Sequence, residues 1–194
     1  MVSASRQNLL LPVSSLPLQL LLAIAGTALI WLSAKIQVPF WPVPMTLQVL
    51  AVLGLAAAMG WRLGGFTVAL YLAEGAANLP VFAGTPEKGL GLAYMMGPTG
   101  GYLLGFLLAA LFVGYWAERG LSKRPLALFF IMLAGLALIY APGLLWLAQF
   151  TGLEKSITLG FTPFILSDLL KIAIATLAFP AIWKLLHLLG HHAK

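Results

Sequence analysis

Most of this 194-residue chain consists of long apolar segments, and its charged side chains are too few to cover a water-soluble globule of that length. Eleven Lys or Arg and five Asp or Glu make up only 8% of the residues, against about a quarter in soluble domains. The mean hydropathy of +1.00, with 20 Gly and 12 Pro, indicates apolar helices separated by turns. We therefore expect an all-α membrane protein with a single domain over residues 1–194. An ordinary soluble domain, a disordered chain and a nucleic-acid-binding protein are excluded.

Prolines, glycines and charges divide the chain into six predicted membrane spans. The spans are residues 16–34, 46–59, 63–77, 100–116, 126–150 and 164–188. The second is shorter than the ~20 residues that a spanning helix needs, so we expect it to be buried among neighbours or to thin the bilayer locally. Pro142-Gly143 is expected to break the fifth span, and Pro180 to kink the sixth. In the fourth span, small residues recur at every fourth position (Gly101, Gly105 and Ala109), which lets helices approach closely.

Lysine and arginine are distributed unequally between the two sides of this arrangement. Seven lie on one side, namely Arg6, Arg62, Arg119, Lys123, Arg124, Lys184 and Lys194, and three lie on the other, namely Lys35, Lys88 and Lys155. Because cytoplasmic loops are enriched in these residues, we expect a multi-pass protein of the cytoplasmic membrane with both termini inside. The loops over residues 35–45, 78–98 and 151–162 then face outward. We expect the first span to be a retained helix, since it lacks the flanks of a cleaved signal peptide.

Two charges lie in the first half of the sixth span. Asp168 and Lys171 are three residues apart, so both project from one helix face about one turn apart. A charge near the middle of the bilayer costs at least about 2.5–3.5 kcal/mol, so each side chain needs a partner or water. The pair is either a self-neutralising structural feature or a ligand site that opens outward. Because Asp accepts and Lys donates hydrogen bonds, such a site suits a urea, an amide or a small carboxylate.

Other side chains near the predicted outer ends are candidate ligand contacts. Glu74, in the third span, pairs with Lys171 if it faces inward, and otherwise reaches the membrane interface. Gln48 and Asn78 are further hydrogen-bonding groups that can face inward. The aromatic residues near the outer loops are candidates to cover an apolar part of a ligand, and they are Trp41, Phe82, Tyr94 and Tyr102.

Motifs for catalysis and for metal binding are missing from the sequence. His187 and His191 are four residues apart, but no acid lies between them, and we expect no metal site there. The chain has neither a Walker motif nor a convergent Ser, His and Asp set, so we expect neither an enzyme nor a bound cofactor. A competing use of an intramembrane carboxylate is a proton relay. The alternative is then a proton-coupled secondary carrier for a small carboxylate or vitamin, with Asp168 or Glu74 as the relay.

Four ordered motifs relate the chain to a known family. They are Pro42-Val-Pro-Met-Thr-Leu-Gln48, Asn78-Leu-Pro-Val-Phe-Ala-Gly84, Met96-Gly-Pro-Thr-Gly-Gly-Tyr102 and Ser167-Asp-Leu-Leu-Lys171. Across essentially all six helices, the chain resembles the BioY family, the substrate-binding S components of energy-coupling-factor (ECF) biotin transporters. The resemblance implies a six-helix fold with cytoplasmic termini and an outward-facing site capped by loops on the external side.

The resemblance also implies a ligand and partners. Biotin is the implied transported ligand, contacted by Asp168 and Lys171. The implied partners are an ECF transmembrane coupling protein and two ATPase subunits. Docking on the coupling protein uses small residues of the first helix, at positions that match Ala23 and Thr27 here. Whether the chain associates with further copies of itself instead stays open at this point.

Overall fold

A computed structural model of the chain describes residues 9–11, 15–38, 42–43 and 45–188, most of which are helical. The elements, in chain order, are α1 (Leu16–Lys35), β1 (Gln37–Val38), β2 (Met45–Thr46), α2 (Gln48–Ala76), α3 (Gly91–Met95), α4 (Gly100–Ala117), a 3₁₀ turn (Leu121–Lys123), α5 (Pro125–Thr151), α6 (Leu153–Gly160) and α7 (Thr162–Leu188). Of the described helices, α1, α2, α4, α5 and α7 are long and apolar enough to cross a membrane. Trp41, His191 and the side chain of His187 lie outside the described residues.

The outer surface of these helices is apolar. On α7, for example, Leu166, Leu170, Ile174 and Leu177 are all more than half exposed. Leucine and isoleucine faces of this size are unusual on a soluble monomer, but they match the hydrocarbon interior of a bilayer. The prediction of a multi-pass, all-α membrane protein is confirmed.

Helix α2 reverses its direction at Gly60, where the backbone has φ 79° and ψ 175°. The side chain of Gln48 donates a hydrogen bond to the Tyr71 hydroxyl at 2.8 Å, although 23 residues separate them. In one straight helix these residues would lie about 35 Å apart. The element is therefore a hairpin of two antiparallel arms, residues 48–59 and 61–76. With these two arms counted separately, the six-helix prediction is confirmed, including the short second span.

Glycine is required at this reversal for two reasons. The φ and ψ of Gly60 fall in a region that is essentially restricted to glycine. A Cβ on Gly60 would also meet Glu118 Oε1 and would lie 2.8 Å from Leu9 Cδ1. The turn therefore packs against the end of α4. The backbone of Trp61 lies where a Cβ on Gly114 would be.

Helix α4 lies at the centre of the bundle and packs against both α2 and α5. A Cβ on Gly105 would lie 2.6 Å from the Ile139 Cα, and one on Gly101 would meet the carbonyl oxygen of Pro142. Ala109, one turn further, is completely buried. The predicted close approach through small residues of the fourth span is confirmed.

Two parts of the chain differ from the sequence predictions, namely the middle of α5 and the segment that follows it. Helix α5 continues without interruption through Pro142 and Gly143, so the predicted break is wrong. Neighbouring helices support such a proline, because Gly143 packs closely on the Tyr102 ring. Helix α7 also continues past Pro180, where the sequence predicts a kink and not a break. Residues 153–160, expected to be loop, form the short helix α6.

We predict that Gly60→Ala lowers the free energy of unfolding by about 1–3 kcal/mol, because alanine is strained at this φ and its Cβ meets Glu118. Gly54→Ala is the matched control, since a Cβ there meets nothing within 4 Å and alanine favours the helix. The measurement is denaturation of both purified variants in detergent. Equal stability of the two variants would contradict the assignment of Gly60 as the reversal point.

Candidate functional site

The end of the bundle remote from Gly60 contains a cavity of about 610 Å³, part of which is open space at its mouth. Its walls come from the first arm of α2 and from α4, α5 and α7. Two connecting segments complete it. The first lid comprises the described residues 42–43 and 45–47, and the second lid comprises residues 77–99, which include α3.

Asp168 and Lys171 form an ion pair inside this cavity. The Lys171 Nζ donates to Asp168 Oδ1 at 2.7 Å and to the Thr46 carbonyl oxygen, also at 2.7 Å. Asp168 is only 4% exposed, whereas Leu166 and Leu170 on the opposite side of α7 face outward. The prediction that both charges share an inward face is confirmed. The bond to Thr46 also ties the pair to the first lid.

Tyr140 is a member of this cluster that sequence reasoning missed. Its hydroxyl donates to Asp168 Oδ2 at 2.7 Å, so each oxygen of the carboxylate accepts one hydrogen bond. The available indication was a lone tyrosine in the apolar middle of α5, because a phenol buried in a membrane needs a polar partner. Tyr140 fixes the carboxylate while leaving lone pairs for a ligand N–H.

Gln48, a predicted ligand contact, lines the cavity, and its amide belongs to a hydrogen-bonded chain within the protein. Its Nε2 donates to the Tyr71 hydroxyl, which in turn donates to the Val81 carbonyl oxygen at 2.9 Å. Its Oε1 accepts a hydrogen bond from Thr46 Oγ1 at 3.3 Å. Gln48 therefore connects the first lid to the beginning of the second lid.

Tyr94 and Tyr102, both predicted ligand contacts, supply aromatic walls of the cavity. The Tyr94 hydroxyl donates to the Ala83 carbonyl oxygen at 2.6 Å, and its ring stacks on Phe82 with centroids 5.0 Å apart. Burial raises the pKa of Tyr94, so this phenol stays neutral at physiological pH. The Tyr102 hydroxyl donates to the Gly160 carbonyl oxygen at 2.9 Å. The apolar remainder of the wall is formed by Val43, Val49, Ala83, Leu103, Phe106, Ile139 and Phe164.

Glu74 and Asn78 do not line the cavity. Glu74 Oε1 accepts a hydrogen bond from Thr27 Oγ1 at 3.0 Å, because it shares with Thr67 the face of α2 that packs on α1. Lys171 pairs with Asp168 instead. Asn78 lies in the turn after α2 with φ 70°, and its side chain adjoins Gly91. Neither residue reaches the cavity or the ion pair in this structure.

The first helix presents a different face to its surroundings from the one predicted. Ala23 is completely buried and Thr27 is 3% exposed, because both lie on the side of α1 that meets α2. A Cβ on the neighbouring Gly26 would lie 2.6 Å from Thr67 Cγ2. The prediction that Ala23 and Thr27 dock a partner is therefore wrong. The small residues that α1 does expose are Ala25 and Ala28.

We predict that Lys171→Met lowers the free energy of unfolding by about 1–3 kcal/mol, because it leaves a buried carboxylate without its cation. The double variant Asp168→Asn with Lys171→Met recovers part of this loss, since the uncompensated charge is then gone. Lys155→Met, at an exposed position of α6, is the control for loss of any lysine. Strictly additive losses in the double variant would show that the two residues are not coupled.

The chain is similar to proteins of one family along most of its length. The model of the BioY family matches residues 6–188. The biotin transporter BioY of Thermotoga maritima is 43% identical over 161 residues, which are 82% of this chain and 92% of that protein. The probable biotin transporter BioY of Pyrococcus horikoshii is 39% identical over 150 residues, which are 77% of this chain and 86% of that protein.

The fold is shared with a solved structure. The crystal structure of the S-component for biotin from an ECF-type ABC transporter superposes with a TM-score of 0.73, covering 89% of this chain and 95% of that chain. The two sequences are 22% identical, so this likeness concerns the fold. The match of the family model over residues 6–188, together with the 43% identity to a relative that is covered over 92% of its length, shows that the chain belongs to the BioY family.

Proposed function

We propose that the chain captures biotin in the cavity at Asp168 and Lys171 and delivers it across the membrane as the S component of an ECF-type transporter. The observation that carries this proposal is the buried ion pair lining the cavity at the lid end of the bundle, in a protein that belongs to the BioY family. Relatives at 43% and 39% identity are named biotin transporters.

The chemistry of biotin suits this cavity. Its ureido group has two N–H donors beside a carbonyl acceptor, which match the acceptor Asp168 and the donor Lys171. Its sulfur-containing ring and the methylene groups of its side chain are apolar, and Tyr94, Tyr102 and Phe106 offer walls on which they can pack. Tyr140 holds Asp168 with an oxygen lone pair available to the ureido hydrogens.

The proposed orientation places the cavity toward the outside of the cell. Lys35, Lys88 and Lys155 belong to the lid end of the bundle. The described basic residues near the Gly60 turn are more numerous, and they are Arg62, Arg119, Lys123, Arg124 and Lys184. By the positive-inside rule this second end, with both termini, is cytoplasmic, and the membrane is the cytoplasmic membrane.

The proposed partners are an ECF transmembrane coupling protein and two ATPase subunits. The solved structure with the same fold is described as an S-component from an ECF-type ABC transporter. The sequence of this chain contains no Walker motif, so ATP hydrolysis has to come from other subunits. The exposed small residues Ala25 and Ala28 leave room for a partner helix on α1, whereas Ala23 and Thr27 are covered by α2.

We predict that the purified chain binds biotin saturably and that Asp168→Asn weakens this binding about 10- to 100-fold. The physical reason is loss of a charge-assisted hydrogen bond, worth about 1.5–3 kcal/mol. Glu74→Gln is the matched control, because that carboxylate is outside the cavity, and its affinity stays within about twofold of wild type. Absence of saturable binding in the wild type, or undiminished affinity in Asp168→Asn, would refute the site.

We predict that biotin uptake by cells containing the chain and its coupling subunits follows ATP rather than the proton gradient. Uptake persists when an ionophore collapses the gradient at constant ATP, and stops when ATP is depleted. The measurement is accumulation of labelled biotin under each condition. Loss of uptake with the gradient alone would instead favour the proton-coupled carrier, with Asp168 as the relay.

A further inference from the structure

We propose that the last turn of α1 couples the two lids, with Lys35 as the positioning residue that joins the second lid to this turn. The lids then open together rather than one after the other. The inference deepens the proposed function, because it concerns access to the same cavity. It rests on contacts of Lys35 and Ser33 that lie outside the ion pair.

Lys35 attaches the second lid to α1 with all three of its ammonium hydrogens. Its Nζ donates to the carbonyl oxygens of Phe82 at 3.2 Å and Thr85 at 2.9 Å, and to Thr85 Oγ1 at 3.2 Å. Three donors that converge on residues 82–85 use the full capacity of an ammonium group. Ala83, between these two acceptor residues, lines the cavity. These three hydrogen bonds therefore hold the part of the second lid that covers the cavity.

The same turn of α1 holds the first lid. The backbone N–H of Leu47 donates to the Ser33 carbonyl oxygen at 3.2 Å, two residues before Lys35. The short strand β1 follows directly and pairs antiparallel with β2, so that Gln37 lies opposite Thr46. The first lid is thus attached to α1 by one backbone bond and by the strand pairing that follows it.

A separate chain of hydrogen bonds joins the two lids, but it extends only to the beginning of the second lid. Gln48 and Tyr71 link the first lid to Val81, where the chain of hydrogen bonds ends. The segment over residues 82–85 is beyond that point and is reached by Lys35. Removing the ammonium group detaches this segment from α1 and leaves the last turn of α1 with its contacts to the first lid but none from Lys35 to the second. A helix end with fewer tertiary contacts frays more readily, which loosens the Ser33 bond to the first lid.

The chain contains no cysteine, so single reporter cysteines test this coupling directly. Ala83→Cys reports on the second lid and Val43→Cys on the first, since both positions line the cavity. Each reporter is combined with Lys35→Met, and the rate of maleimide labelling is measured in detergent without ligand. We expect Lys35→Met to raise the labelling rate about tenfold at both positions.

Three further variants make the outcome decisive. Lys35→Arg retains a charged donor group and keeps labelling within about twofold of wild type, and Lys155→Met leaves it unchanged. Ala110→Cys lies in the fully buried interior and stays unlabelled beside Lys35→Met, which excludes general unfolding. Faster labelling at Ala83→Cys alone would overturn the coupling of the lids. Unchanged labelling at both reporters, or labelling of Ala110→Cys, would overturn the role of Lys35.

The closing measurement separates this inference from the proposed function. Biotin dissociation from Lys35→Met is expected to be about tenfold faster than from the wild type, as both lids release the ligand together. If the wild type binds no biotin, the proposed function fails while the labelling result still decides the coupling. If biotin binds but its dissociation rate and the labelling rates are unchanged, the coupling fails and the proposed function stands.

Discussion

A carboxylate inside a membrane bundle has to be partnered, and the arrangement of the cavity follows from how Asp168 meets that requirement. One oxygen accepts from Lys171 and the other from Tyr140, which brings α5 and α7 together at one depth. Lys171 in turn donates to the Thr46 carbonyl oxygen, so the chain that leads into α2 is fixed from inside. A polar cluster of four residues thereby positions two helices and one lid around a space that is otherwise apolar.

The reversal of α2 at Gly60 makes this arrangement possible. Because the arms are antiparallel, Gln48 at the start of the first arm and Tyr71 in the second lie at the same end of the bundle. Both lids therefore begin or end at α2, next to the ion pair. The turn itself is at the opposite end, where Gly60 fits beneath Glu118. The site and the Gly60 turn are separated by the length of the arms.

Much of the fold could be predicted because spans are a property of composition along the chain. Apolar length, prolines and glycines located the six helices, and the spacing of Asp168 and Lys171 placed both on one face. Which way an isolated residue points is harder to predict, since it depends on the neighbouring helix. Glu74 was expected near Lys171, but the face of α2 that carries it packs on α1. The contact of Tyr140 with Asp168, 28 residues away, depends in the same way on tertiary packing.

Helix α1 also shows that the packing partner of a helix face is difficult to predict from the sequence. Its small residues indicate close packing, yet the pattern does not say against which surface, and Ala23 and Thr27 pack inside the protein. Pro142 was expected to break α5, but flanking helices keep the chain helical there. Short elements such as α6 were missed because eight residues carry too little periodicity beside a glycine-bounded loop.

The ion pair also determines the net charge of the cavity lining. Among the described lining residues, Asp168 and Lys171 are the acid and the base, and together they form an ion pair without net charge. The lining of the cavity therefore contributes no net charge, and any charge on a molecule inside it would be added to the interior of the bundle. Such a charge is less unfavourable near the open mouth, where water reaches it, while uncharged polar groups can hydrogen-bond to the pair. The neutrality of the ion pair thus favours one orientation of such a molecule independently of its shape.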